Sequence, residues 1–187
     1  FICKHLIVCT GFASKNYIPN FKGLDKYKGV MHHTAEWPGE TIDFTNKRVA
    51  VVGTGASGVQ VIQETGPIVK ELTVYQRTPN FALPMRQRKV TVEEQAKRKE
   101  NYDQVFADTL TEPNASGFEF GFDPRSALEV TPEEREKHFM DCWEKGGFHF
   151  WVANFHDIWT NEAADSLAYD FWRRQVLKRI TRPELRE

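Results

Sequence analysis

Along the chain, the spacing of apolar and polar positions changes from strand-like to helix-like and back, and then settles into helical spacing. HLIVCT, residues 5–10, is a compact apolar run closed by Gly11 and predicts a strand. Turn-forming residues then dominate to residue 46, with Pro19, Gly23, Gly29, Pro38 and Gly39. KRVAVVG predicts a second strand, the glycines from Gly53 to Gly58 a turn, and the residues from about 56 to 64 a helix, with a break near Gly66-Pro67. ELTVYQ predicts the strand that follows. Strand, turn, helix, strand is half of a mononucleotide-binding unit.

The character changes near Val90. Thr91 followed by Glu94 is a capping box opening a charged helix over 92–109. Residues 112–124, rich in Gly, Asn and Phe, predict a loop. Thr131 caps a helix over 132–145, with Pro132 at its first position, where a missing N–H costs nothing, and Gly146-Gly147 ends it. Phe148, Trp151, Phe155 and Trp159 recur at helical spacing and predict one packed face, with a pocket wall or a membrane contact as competing readings. A last helix is expected over 162–180. The fold class is therefore α/β: a partial Rossmann-like dinucleotide-binding fold carrying a helical insertion.

Composition narrows the classes. The formal net charge is −1, which gives no broad electrostatic case for a nucleic-acid partner. With 40% apolar and 27% charged residues the chain reads as globular. No apolar run reaches the roughly 18 residues a membrane span requires. Cys3, Cys9 and Cys142 make neither a metal pair nor an even disulfide framework, and a reducing, cytoplasmic compartment is expected. Asn114-Ala-Ser116 matches the glycosylation acceptor pattern without other signs of secretion. The chain opens at Phe1 inside an apparent strand and closes on RPELRE, so a fragment of a longer chain is expected.

Gly53, Gly55 and Gly58 make a G-x-G-x-x-G. The first allows the tight turn, the second admits a pyrophosphate close to the backbone, and the third lets helix and strand pack. Free amides at the helix start face the phosphates. The strand after the helix ends in Tyr75-Gln76-Arg77-Thr78, with no carboxylate for a ribose 2′-hydroxyl. Arg77 can grip a 2′-phosphate through its planar fork and Thr78 adds a hydroxyl, which selects NADPH over NADH. The competing reading leaves Arg77 facing solvent.

Upstream lies YKGVMHHTAEWP, residues 27–38. Adjacent His32 and His33 without a matched third ligand are a weak zinc site, and no metal is expected. The ordinary reading has His33 donating to backbone while Trp37 packs. The segment resembles the fingerprint F-x-G-x-x-x-H-x-x-x-W-P of the Baeyer–Villiger monooxygenases, class B flavoenzymes. Gly29, His33, Trp37 and Pro38 stand at that spacing, with Tyr27 in place of phenylalanine. Phe21-x-Gly23 looks similar but lacks the histidine. Thr10-Gly11 resembles the end of the family's A-T-G segment, and GTGASG with QRTP its nicotinamide site. DPRSALEVTPEE and the aromatic helices after it resemble the insertion of its ketone-oxidising members.

The resemblance implies a flavoprotein with two dinucleotide domains, binding FAD and NADPH. It would insert one oxygen atom of O2 beside a small-molecule ketone carbonyl through a C4a-peroxyflavin, giving an ester or lactone. It implies that residues 1–20 end the FAD domain, 21–46 form an interdomain linker, 47–86 half the NADP domain and 87–187 the helical insertion. It gives His33 a supporting catalytic role. It makes Thr10, Gly11, Trp37, Gly53, Thr54, Gly55, Ala56, Ser57, Gly58, Gln60, Arg77 and Thr78 cofactor-binding residues. Departures are plain: the chain has one G-x-G-x-x-G rather than two, and no match to the family's catalytic arginine, since Arg182 and Arg186 lie in a run that reads as surface. An anionic peroxide needs positive charge aimed at it, so these residues alone should not complete the reaction. An NADPH-dependent flavin oxidoreductase, a monooxygenase of nitrogen or sulfur centres and a non-enzymatic module remain open alternatives.

Overall fold

In a computed structural model that describes residues 2–11, 13–111, 118 and 120–186, the alternation of RVAVV folds as expected. Strand β1 (Arg48–Val52) turns Val49 and Val51 to one face, and Val51 is buried. Helix α1 (Ala56–Thr65) crosses over to β2 (Glu71–Tyr75), which pairs with β1 in parallel, Arg48 opposite Glu71 and Val52 opposite Tyr75. Parallel strands need such a crossover. The helix stops where Gly66 donates back to Ile62, and the Thr65 hydroxyl bonds the Val61 carbonyl at 2.7 Å. Lys70 N–H donates to the Lys47 carbonyl, tying the start of β2 beside β1.

The chain divides into two compact units, Phe1–Phe81 and Ala82–Glu187. In the first, residues 5–10 are not a strand. They find no ladder partner among the described residues, and Leu6, Ile7 and Val8 stay exposed. Backbone N–H and C=O groups without a neighbouring strand are better hydrated than extended in isolation.

The second unit holds the core. Charged residues 92–111 form two helices, α2 (Val92–Glu100) and α3 (Tyr102–Thr111), rather than one. Asn101 interrupts them: its side chain turns back to the Lys97 carbonyl, competing with the helix ladder. The expected capping box is present, Glu94 N–H donating to Thr91 Oγ1 and Thr91 N–H to Glu94. Arg88 and that cap hold the Glu94 carboxyl down at about 2. Helix α4 (Pro132–Lys145) carries the second box, between Thr131 and Glu134, and ends at Gly146 and Gly147, both with positive φ.

The aromatic stretch is not one helical face. A single turn, α5 (His149–Val152), is followed by a 3₁₀ turn, His156–Trp159. Asn154 makes the bend: fully buried, it donates to the Phe150 carbonyl and accepts from Phe155 N–H. The core therefore takes Phe150, Phe155 and Ile158, while Phe148, Trp151 and Trp159 stay partly exposed. Phe139 and Trp143 of α4 meet Phe171 of α6 (Glu162–Arg179), and Phe150 stacks on Phe171 at 5.5 Å. Buried Asp157 is satisfied by Ser126 Oγ and Ala127 N–H, which outweigh burial and keep its carboxyl ionised below the usual range. The loop 82–86 is tied to this unit by Trp172 donating to the Ala82 carbonyl, Gly147 to the Pro84 carbonyl, and an Arg86–Glu144 pair. The Asn114–Ser116 pattern lies outside the described residues.

Candidate functional site

The three glycines behave differently, as a phosphate-binding turn requires. Gly53 leaves β1 at φ 98°, a left-handed conformation that side-chain-bearing residues rarely adopt, and its N–H extends the ladder to the Tyr75 carbonyl at 2.8 Å. A side chain at Gly58 would run into the Gly53 carbonyl, so the third glycine allows α1 to sit against the turn. Open space faces Gly55, the residue before the helix, where a side chain would meet nothing. Free amides of the first turn of α1 follow it. This is a cradle that leaves room for an anion where a ligand's phosphates would approach.

Parallel register puts Arg77 and Thr78 two and three residues beyond the end of β2, at the same carboxyl edge as Gly53 beyond the end of β1. Both are exposed, and Arg77 has no carboxylate or carbonyl partner among the described residues. In open parallel sheets that edge is where ligands sit.

Trp37 comes to the same unit. Its indole lies 5.9 Å from the His32 ring and 6.1 Å from Phe44, centroid to centroid. With Thr34, Ser57, Gln60 and Val61 it lines an open cleft of about 250 Å³ beside the first turns of α1. Three predicted residues, Trp37, Ser57 and Gln60, thus share one cleft. Thr34 belongs to it as well and carried no sequence signal of its own.

His33 differs from expectation in one detail. It is half-buried and caps the 3₁₀ turn Thr34–Glu36, its Nδ1 accepting from Ala35 N–H at 3.1 Å rather than donating to backbone. Asn16 bonds Glu36 of the same turn, and the Tyr27 ring folds over Gly29, where any side chain would collide with it. Tyr27 and Gly29 thus form one packed pair at the start of the histidine segment. Thr10 and Gly11 are exposed, Gly11 at φ 70°.

One cluster in the second unit sets an aspartate, a histidine and a cysteine close together. Asp123 is gripped by Arg125, Nη2 to Oδ2 at 2.6 Å, and lies 3.6 Å from His138 Nδ1, while the Cys142 sulfur lies 3.6 Å from His138 Nε2. Arg125 holds the Asp123 carboxyl down at about 2, and burial depresses the His138 imidazole. Burial also pushes the Cys142 thiol up to about 11, so no thiolate nucleophile forms. No metal-binding group of His, Cys, Asp or Glu exists among the described residues, and no described helix is long and apolar enough to cross a membrane.

The family model described as flavin-binding monooxygenase-like matches residues 2–108. Over 184 residues the chain is 39% identical to cyclopentanone 1,2-monooxygenase of a Comamonas species, covering 98% of this chain and 33% of that enzyme. It is 41% identical to the FAD-binding monooxygenase acrE of Aspergillus aculeatus, covering 95% of this chain and 30% of that protein. The structure matches cyclohexanone monooxygenase from Rhodococcus sp. Phi1 bound to NADP+ with a TM-score of 0.83 and 39% identity, over 94% of this chain and 33% of that one. The chain spans about a third of the length of the relatives it matches.

Proposed function

The chain belongs to the flavin-binding monooxygenase-like family, and from that premise we propose that it supplies the NADPH site of a ketone-oxidising, FAD-dependent monooxygenase. The overall reaction takes a ketone, O2, NADPH and a proton to an ester or lactone, water and NADP+. One observation carries the nucleotide assignment: the glycine turn and Arg77 lie at the same carboxyl edge of a parallel strand pair, with Arg77 exposed and unengaged among the described residues.

Each residue then has a task. Amides of Gly55, Ala56 and Ser57 hold the pyrophosphate, drawn by the positive end of α1. Gly53, Thr54 and Gly58 shape the turn. Arg77 and Thr78 hold the 2′-phosphate with charged and hydroxyl donors, and no carboxylate is present to repel it. Trp37 and Gln60 wall the cleft beside the nucleotide, and His33 fixes the turn that presents Trp37. Bound NADPH supplies a hydride, and bound flavin the activation of oxygen. Thr10 and Gly11, assigned to the FAD side, form no cradle among the described residues, so the contribution derived for this chain is to the nicotinamide nucleotide. Residues 21–46 act as the linker and 87–187 as the insertion.

The test uses enzyme made from the complete reading frame that encodes these residues. Given cyclohexanone, NADPH and air, it should form lactone with one NADPH and one O2 consumed per product. Oxidation only of amines or thioethers would reassign the substrate class. NADPH oxidation without oxygen uptake would favour a flavin oxidoreductase.

A further inference from the structure

Beyond the expected motif, one side chain spans the two nucleotide-binding segments. Asn80, three residues past Arg77, donates its Nδ2–H to the carbonyl of Thr54 at 2.8 Å, across 26 residues of chain. Thr54 lies between Gly53 and Gly55, in the middle of the turn. We propose that Asn80 is a positioning residue for the pyrophosphate site, because the Asn80–Thr54 bond fixes the orientation of the peptide between Thr54 and Gly55. The inference rests on the NADPH reading above.

The argument is geometric. A trans peptide is planar, and its carbonyl and its N–H point in opposite directions. Holding the Thr54 carbonyl toward Asn80 therefore turns the Gly55 N–H the other way. That amide makes no hydrogen bond among the described residues, and the space around Gly55 is open. A flip of this peptide changes ψ of Thr54 and φ of Gly55, and Gly55, having no side chain, accepts either sign of φ. A flipped peptide would present a carbonyl oxygen to an anion in place of an amide. Neighbouring constraints do not do this work: the Gly53 N–H to Tyr75 bond fixes the peptide before Gly53, and the Val59 N–H to Gly55 bond fixes the peptide after Gly55. Among the described residues, only Asn80 bonds the Thr54 carbonyl. The same bond ties the segment that follows Arg77 to the turn.

Ligands that differ in one phosphate test this. NADP+ and NAD+ both carry the pyrophosphate, whereas 2′-AMP carries only the 2′-phosphate that Arg77 would hold. Binding is measured calorimetrically on the enzyme from the complete reading frame, comparing wild type with Asn80→Ala and Asn80→Leu. The leucine is close to the same size, uncharged and unable to donate, so it keeps the test valid if the alanine variant folds poorly. Both variants should weaken NADP+ and NAD+ by a common factor of about tenfold and leave 2′-AMP within about twofold. Unchanged NADP+ binding in both variants would overturn the proposal. So would parallel weakening of 2′-AMP, which would place Asn80 in the general integrity of the strand end. Wild-type enzyme that binds neither NADP+ nor 2′-AMP would instead overturn the nucleotide reading itself.

Discussion

Arg77→Ala should raise the dissociation constant of NADPH by about ten- to a hundredfold and leave that of NADH within about twofold. Only NADPH carries the 2′-phosphate proposed for the guanidinium. A hydrogen bond between charged partners contributes about 1.5–3 kcal/mol, and a factor of ten in affinity corresponds to about 1.4 kcal/mol. Because Arg77 is exposed, the preference should shrink as salt rises, since screening weakens the exposed charge pair. Arg77→Lys should fall between, keeping the charge and losing the planar fork. Titration of each nucleotide into wild type and variants checks this. Equal weakening of NADPH and NADH would remove the 2′-phosphate from Arg77 and place the residue in the packing of the strand end.

The largest stability loss is expected at Phe171. Its ring is fully buried, stacks on Phe150, meets Phe139 at 5.4 Å and Trp143 at 6.1 Å, and lies beneath the Arg174 guanidinium. Truncation removes contacts to α4 and α5 together and opens a cavity that three aromatic rings cannot all collapse into. Phe171→Ala should cost about 3–5 kcal/mol, a large part of an ordinary domain's stability. Phe148→Ala, at a ring 42% exposed, should cost far less. Urea unfolding of the two variants, followed by fluorescence, measures both. Similar midpoints would mean that the core lies elsewhere than the α4–α5–α6 junction.

Where local chemistry decides an element, sequence reading found it. Alternation in RVAVV and ELTVY, three glycines at fixed offsets and two Thr–Glu capping boxes act within five residues of themselves, and β1, α1, β2 and the starts of α2 and α4 follow from them. Errors came where an element needs a partner from elsewhere in the chain, or where one asparagine side chain competes with the backbone pattern around it. HLIVCT has strand composition, but a strand requires a neighbour, and none pairs with it among the described residues. Helical spacing at Phe148, Trp151, Phe155 and Trp159 was overridden by Asn154, whose two backbone bonds bend the chain through the middle of the pattern. Asn101 did the same to the charged helix. At the site, the glycines and Arg77 were legible because a turn and a strand end announce them. Thr34 and Asn80 were not, since a cleft wall and a bond across 26 residues leave no local trace.

The sulfur chemistry turns the helical unit into its own clock. Cys3 and Cys9 are exposed, whereas Cys142 is buried with its thiol held protonated and bonded to the Ala153 carbonyl. An alkylating reagent therefore counts two sulfhydryls in the folded chain and three in the unfolded one. With reagent concentrated enough for alkylation to outpace reclosing, the rate at which the third is consumed is the rate at which α4 parts from the Ala153 loop, reported without a dye or a mutation.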